Sequence, residues 1–184
     1  MTGNILPAIR AVDNNMLEAA DIESMYLAYA GRVYNFMRYR AQDSFAEDLT
    51  QMVFERALSR YKNYNSVKGS LEVWIFTIAR NILYDHYRKA GRADFTELES
   101  LVDLASPDAS PDNGLLAAEE RLALKKALGT LKKRELTAVS LKYAGGLRNT
   151  EVAAVMGISE KNAGVILSRA LKKLRIVMER KMKQ

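Results

Sequence analysis

The stretch from Asn149 to Arg175, NTEVAAVMGISEKNAGVILSRALKKLR, leaves little choice of fold. Val152, Met156, Ile158, Ala163 and Ile166 give two short helices one shared apolar side. Ala153 is the small residue where the helices must approach closely. Gly157, four residues on, suits a turn that needs a positive φ, which glycine adopts without steric penalty. Ser159 can cap the second helix by accepting a hydrogen bond from an orphan backbone N–H. These offsets are those of a helix-turn-helix, whose second helix enters a DNA major groove.

The second helix sorts its residues by face. At about 100° per residue, Ala163, Ile166, Leu167, Ala170, Leu174 and Val177 share a core-facing side. The opposite side carries Lys161, Gly164, Val165, Ser168, Lys172 and Arg175, with Arg169 on its flank. A cationic strip with a serine and a glycine can follow phosphates and let the backbone come near the groove.

The rest of the chain is read as all-α, because glycine and proline rarely interrupt it and apolar residues recur at spacings of three and four. Its 184 residues suffice for one medium domain or two small ones. A hydrophobic content of 48% supports a real core. The absence of cysteine excludes disulfides, thiolate zinc sites and cysteine nucleophiles, and suits a reducing cytoplasm. No apolar run has the length of a membrane span, so a cytoplasmic protein without membrane insertion is expected. No cofactor or metal site is expected.

Charge divides the chain. Residues 1–91 carry 11 Lys/Arg against 10 acids, residues 92–112 one Arg against six acids, and residues 113–184 sixteen Lys/Arg against six acids. A near-neutral block, an acidic strip and a strongly basic block suggest two domains with different partners. The boundaries expected are a loose lead-in over 1–20, a first domain over 21–91, an acidic flexible linker over 92–114 and a helix-turn-helix domain over 115–184.

Within the first block, a helix is expected from Ile22 to Tyr39 with Met25, Tyr29, Val33 and Phe36 on one face. Ser44-Phe45-Ala46-Glu47 has the form of a capping box, with a helix following to about Tyr61. Its apolar side is Leu49, Val53, Phe54, Ala57 and Leu58; Asp48, Gln51 and Glu55 line the other. After a turn at 63–69, Ser70 can cap a third helix reaching Lys89, with Leu71, Ile75, Ile78, Ala79 and Ile82 inward. Its other side, Thr77, Arg80, Asn81, Tyr84 and Arg88 with Trp74 at the boundary, interleaves aromatics, an amide and arginines. Such a stripe suits single-stranded nucleic acid, whose bases stack on rings while Arg meets phosphates. Taken alone, the stripe more often describes half-buried packing residues, and the packing reading is favoured at this point. In the second block, helices are expected from Leu115 to about Leu131 and from Arg134 to Tyr143, then a turn at Ala144-Gly145-Gly146.

Three motifs thus stand in order: Ala46-Glu47-Asp48-Leu49-Thr50-Gln51 with Val53-Phe54, Trp74-Ile75 with Ile78-Ala79-Arg80-Asn81, and the helix-turn-helix. Together they resemble a bacterial RNA polymerase sigma factor of the extracytoplasmic-function group, over about residues 21–89 and 115–178. The resemblance implies a non-enzymatic initiation factor, monomeric when free, with core RNA polymerase and promoter DNA as partners and a role in stress response. Members are often held inactive by an anti-sigma protein, which adds a partner class to expect.

By the same resemblance, Asp48, Leu49, Gln51 and Glu55 would meet a coiled coil of the largest polymerase subunit. Lys68, Trp74, Arg80, Asn81, Tyr84, Arg88 and Lys89 would hold the opening minus-ten strand, and the turn Tyr64–Ser70 would accept a flipped base. Arg148, Lys161, Asn162, Val165, Ser168, Arg169 and Lys172 would read the minus-thirty-five duplex. The linker acids Glu97, Glu99, Asp103, Asp108 and Asp112 would run through the polymerase's RNA path. Many relatives carry Gly-Thr-Val-Lys-Ser-Arg where this chain has Lys161-Asn162-Ala163-Gly164-Val165-Ile166, so a basic pair is replaced and an unusual promoter box is implied.

Two other classes remain to compare. A two-domain helix-turn-helix regulator explains the C-terminal motif but has no need of the other two. A nucleic-acid enzyme has only Asp85 and His86 as an acid/base pair, about 100° apart on a helix, with no paired acidic metal site and no phosphate-binding glycine loop.

Overall fold

The computed structural model of the protein describes residues 19–41, 43–89, 123–124 and 126–181, and these are helices and their connections. Of the expected lead-in over 1–20, residues 1–18 lie outside the described residues and the last two begin a helix; the acidic linker over 92–114, with its five named acids, also lies outside them. Six helices carry the architecture: α1 (Ala19–Arg38), α2 (Asp43–Arg60), α3 (Leu71–Lys89), α4 (Lys133–Val139), α5 (Asn149–Met156) and α6 (Glu160–Lys181).

The first unit is α1, α2 and α3. Apolar residues at three- and four-residue spacing bury Val33, Phe36 and Met37 from α1 against Val53, Phe54 and Ala57 from α2. Ile75, Phe76, Ile82 and Leu83 of α3 close this core. Phe36 meets Phe76 edge-on, ring centroids 6.0 Å apart, and Tyr26 meets Phe54 at 4.9 Å. Ser70 caps α3 as expected, accepting from the Val73 N–H at 3.3 Å. Helix α2 differs by one residue, starting at Asp43, so Ser44 lies inside the first turn rather than before it.

The second unit is α4, α5 and α6. Both α4 and α5 start with the same device, a glutamate reaching back to the backbone N–H that precedes the helix. Glu135 accepts from the Lys132 N–H at 2.8 Å, and Glu151 from the Arg148 N–H at 2.7 Å. The expected helix over 134–143 is α-helical only to Val139. Over Ser140–Ala144 it widens into a π turn, closed by the Gly145 N–H on the Ser140 carbonyl at 2.9 Å. The helical segment before it ends at residue 128, not at Leu131, with a turn at Gly129 and Thr130.

The two units pack on each other. Helix α5 lies against α3, and the π turn against α1. Gly145 shows how tight the contact is: a Cβ there would stand 2.8 Å from both the Leu141 carbonyl and Cε1 of Phe76. Arg32 of α1 donates from Nε to the Gly145 carbonyl at 2.8 Å and pairs through Nη2 with Glu72 of α3. One buried apolar cluster therefore runs through both units.

Candidate nucleic-acid interface

The helix-turn-helix forms as its spacing requires. Gly157 ends α5 with φ 66°, and its N–H donates to the Ala154 carbonyl while that of Ile158 donates to Ala153. Ser159 accepts from the Asn162 N–H at 3.3 Å at the head of α6. Ala163, Leu167 and Ala170 are buried, so α6 turns its opposite side outward. Lys161, Asn162, Val165, Ser168, Arg169 and Lys172 are all exposed there. Arg148 is exposed at the head of α5, its guanidinium paired with Glu151 at 2.6 Å. That bond holds the Glu151 carboxyl below the ordinary carboxylate range, against the opposing effect of burial.

The stripe on α3 divides. Trp74 is half-buried in a ring cluster, its centroid 5.3 Å from Tyr64 and 6.2 Å from Tyr61. Tyr64 closes the following loop by donating to the Gly69 carbonyl at 3.2 Å, and Asn65 Oδ1 accepts from the Val67 N–H at 2.9 Å. These bonds fix the loop and leave Val67 at its tip 93% exposed, with Lys68 exposed beside it.

Further along, the second unit covers the stripe. Arg80 donates through Nη1 to the Val155 carbonyl of α5. Two cations approach the Tyr84 ring, the Arg80 guanidinium carbon at 5.8 Å and Lys133 Nζ at 5.0 Å from its centroid. Asn81, Arg88 and Lys89 remain exposed. Asn81 Oδ1 accepts from Arg80 Nη2 at 3.1 Å, and Arg88 pairs with Asp85 at 2.9 Å.

On α2, Asp48, Gln51 and Glu55 are exposed, with Gln51 donating to Glu55 at 2.8 Å. Leu49 differs from its three neighbours in the expected polymerase-facing set. It is 3% exposed and belongs to the core, because the next position along a helix turns by about 100° and carries it inward. Two apolar residues of α2, Phe45 and Met52, are 41% and 40% exposed. Sequence reasoning passed over both, since an isolated exposed apolar residue gives no periodic signal.

It also passed over two contacts across the boundary of the two units, Arg32 with the Gly145 carbonyl and Arg40 with Thr137. Arg40 donates through Nη1 to the Thr137 hydroxyl at 3.0 Å, and 97 residues separate the pair. Nothing local in the sequence announces such a contact.

Among the described residues no group of three His, Asp or Glu could hold a metal ion, and no helix is long and apolar enough to cross a membrane.

Comparison with known proteins gives this geometry a family. Sigma-70 region 2 matches residues 25–93, and Sigma-70, region 4 matches residues 121–174. The ECF RNA polymerase sigma factor BldN of Streptomyces coelicolor is 34% identical over 151 residues, which are 81% of this chain and 56% of BldN. This chain thus spans little more than half of that relative. The ECF RNA polymerase sigma factor SigM of Bacillus subtilis is 30% identical over 162 residues, covering 86% of this chain and 96% of SigM. The solved structure of the sigma factor RpoE from Bartonella quintana, in complex with the anti-sigma factor NepR, shares the fold. Its TM-score is 0.66 at 24% identity, over 88% of this chain and 98% of that one. With both sigma-70 regions matched in order, and with a relative of this identity covered almost end to end, the chain belongs to the extracytoplasmic-function sigma factors.

Proposed function

We propose that this chain binds core RNA polymerase and directs it to promoters, reading the minus-thirty-five element as duplex with α6 and holding the opened minus-ten strand on α3. The observation that carries this reading is the pairing of an exposed, basic recognition helix with a separate polar and aromatic stripe in the order the family requires. The boundaries 21–91 and 115–184 are our division of the chain into these two roles, with 92–114 as the tether. A regulator acting alone would leave the α2 and α3 faces without a purpose.

The mechanism requires no covalent chemistry. Lys161, Arg169, Lys172 and Arg148 would displace counterions from duplex phosphates, so promoter affinity falls steeply with salt. Val165 would meet a thymine methyl, and Asn162 and Ser168 base edges or phosphates. Extruding a base costs a few kcal/mol, and stacking on an aromatic ring returns about 1–3 kcal/mol per base. Trp74 and Tyr84 would supply such rings.

Tyr84 and Arg80 are covered by the second unit, so the packed arrangement is a resting form and the two units must part before α3 can hold DNA. The RpoE relative was solved with an anti-sigma factor, and we extend a partner of that class to this chain. Site of action is taken to be the cytoplasm, where polymerase works.

Run-off transcription with purified core RNA polymerase and a pool of promoter fragments tests the reading. Promoter-specific transcripts that depend on this protein support it. Absence of transcripts, together with failure to bind core, would remove it.

A further inference from the structure

Arg40 is a charged side chain that the packed arrangement does not satisfy. It lies in the turn that ends α1, 4% exposed, under α4 of the second unit. A guanidinium has five N–H donors, and buried ones are ordinarily paired with a carboxylate. Among the described residues no carboxylate bridges Arg40. Its polar contacts there are Nη1 to the neutral Thr137 hydroxyl at 3.0 Å, while Nη2 is buried with no hydrogen-bond partner. Burial works against the charge and lowers the guanidinium pKa, with Tyr87 and Tyr84 acting in the opposite sense.

The neighbours of Arg40 place it on the strand-holding side of α3. Thr137 Oγ1 donates to the Lys133 carbonyl at 2.9 Å, so towards Arg40 it is the acceptor. The Tyr84 hydroxyl approaches the same Thr137 oxygen at 3.4 Å. Arg40 and Tyr84 therefore converge on one atom of the second unit, and whatever removes that atom uncovers both. Tyr87, which also acts on the Arg40 charge, is buried in the core one turn beyond Tyr84 on α3.

We propose that Arg40 is a further DNA-binding residue, a phosphate ligand of the promoter strand that Thr137 masks in the packed form. A phosphate offers oxygens matching the guanidinium fork and supplies the negative charge that the hydroxyl lacks. Parting the two units would expose Arg40 next to Tyr84, extending the α3 stripe by one cation from another helix. The proposal rests on the sigma-factor reading above. It explains why a cation is kept in an interface that leaves one of its nitrogens unpaired: its full set of partners belongs to the open form.

The test uses the full chain assembled with core RNA polymerase on a promoter fragment selected by the wild type, with affinity measured across potassium chloride concentrations. Arg40→Met removes the charge and keeps an apolar stem for the buried site. Arg40→Gln removes the charge but keeps an N–H for Thr137, and serves if the methionine variant does not fold. The expected result is affinity about tenfold weaker for either variant, with the slope of log affinity against log salt shallower by about 0.7–0.9, one counterion's worth. Arg40→Lys should restore most of the slope. A folded neutral variant with the wild-type slope overturns the proposal, as does a loss confined to affinity for core polymerase, which would make Arg40 a protein contact. If the wild type itself forms no promoter complex with polymerase, the underlying reading fails instead.

Discussion

Arg80, on the face of α3 assigned to the opening strand, donates to the backbone carbonyl of Val155 in the first helix of the helix-turn-helix. The acceptor is one of the last carbonyls of α5, a group left without an intrahelical partner when the helix ends. On the proposed reading, a DNA phosphate taking the donor that now serves this carbonyl would have to displace α5. Domain packing and strand binding would then compete for one side chain.

Gly145 gives direct access to that competition. An alanine there would place its Cβ 2.8 Å from the Leu141 carbonyl and from Phe76, and 3.1 Å from Leu147. The first contact is backbone and the second a core ring, so neither yields easily. Gly145→Ala should weaken the packed form by about 1–3 kcal/mol. Small-angle scattering of the free protein should then show a larger radius of gyration with helical content unchanged by circular dichroism. An unchanged scattering profile would mean that the units can shift enough to absorb the methyl.

Asn81 separates strand binding from folding. It is exposed and its side chain bonds to the neighbouring Arg80. Asn81→Ala should change stability by less than about 0.5 kcal/mol. It should lower open-complex formation, measured by permanganate reactivity of unpaired thymines, while affinity for core polymerase stays near wild type. Loss of both together would assign Asn81 a folding role.

Acid should act first through the second unit. Burial pushes the Glu135 carboxyl up, but the Lys173 ammonium at 2.7 Å and the Lys132 N–H outweigh it and hold the pKa below its ordinary value. A carboxyl with a depressed folded pKa stabilises the fold fully above its unfolded value, about 4.3, and that stability is lost as pH falls through the folded pKa. Lys173 is 41% exposed, so the pair is partly screened and Glu135→Gln should cost about 1 kcal/mol at neutral pH. As pH falls below about 4.3, the thermal midpoints of wild type and variant should draw together. A gap that does not narrow with falling pH would assign the loss to packing instead.

The helices were legible in the sequence because their signals are local. Ser70, Gly157 and Ser159 each perform the turn or capping role that residues within a few positions dictate. The outward face of α6 followed from periodicity in the same way. Leu49 lies on the apolar side of α2, as its periodicity requires; only the family motif, which spans both faces of the helix, had set it among the surface contacts. The π turn over Ser140–Ala144 was not legible, since the close approach of Gly145 to Phe76, 69 positions earlier, is a tertiary matter. The covering of Arg80 and Tyr84 and the burial of Arg40 depend on contacts between residues 53–97 positions apart, beyond any window of local pattern.

Gly164 makes a prediction in which stability and function move in opposite directions. It lies in the second turn of α6, among the exposed Lys161, Val165 and Ser168, and a Cβ added there would meet nothing within 4 Å. Its φ is not positive, so neither backbone conformation nor packing in the free protein demands a glycine. A glycine inside a helix is less favourable than alanine by about 0.8–1 kcal/mol. Gly164→Ala should therefore raise the thermal midpoint of the free chain by about 2–4 °C. If α6 enters the major groove with this side foremost, the missing Cβ is what lets backbone and base edges approach. The added methyl should then weaken binding to the minus-thirty-five duplex, measured by fluorescence anisotropy, while leaving affinity for core polymerase unchanged. A variant that is more stable and binds duplex as well as wild type would shift the reading face around α6 towards Arg169 and Lys172. A variant that is less stable would show that the space beside Gly164 is filled in solution.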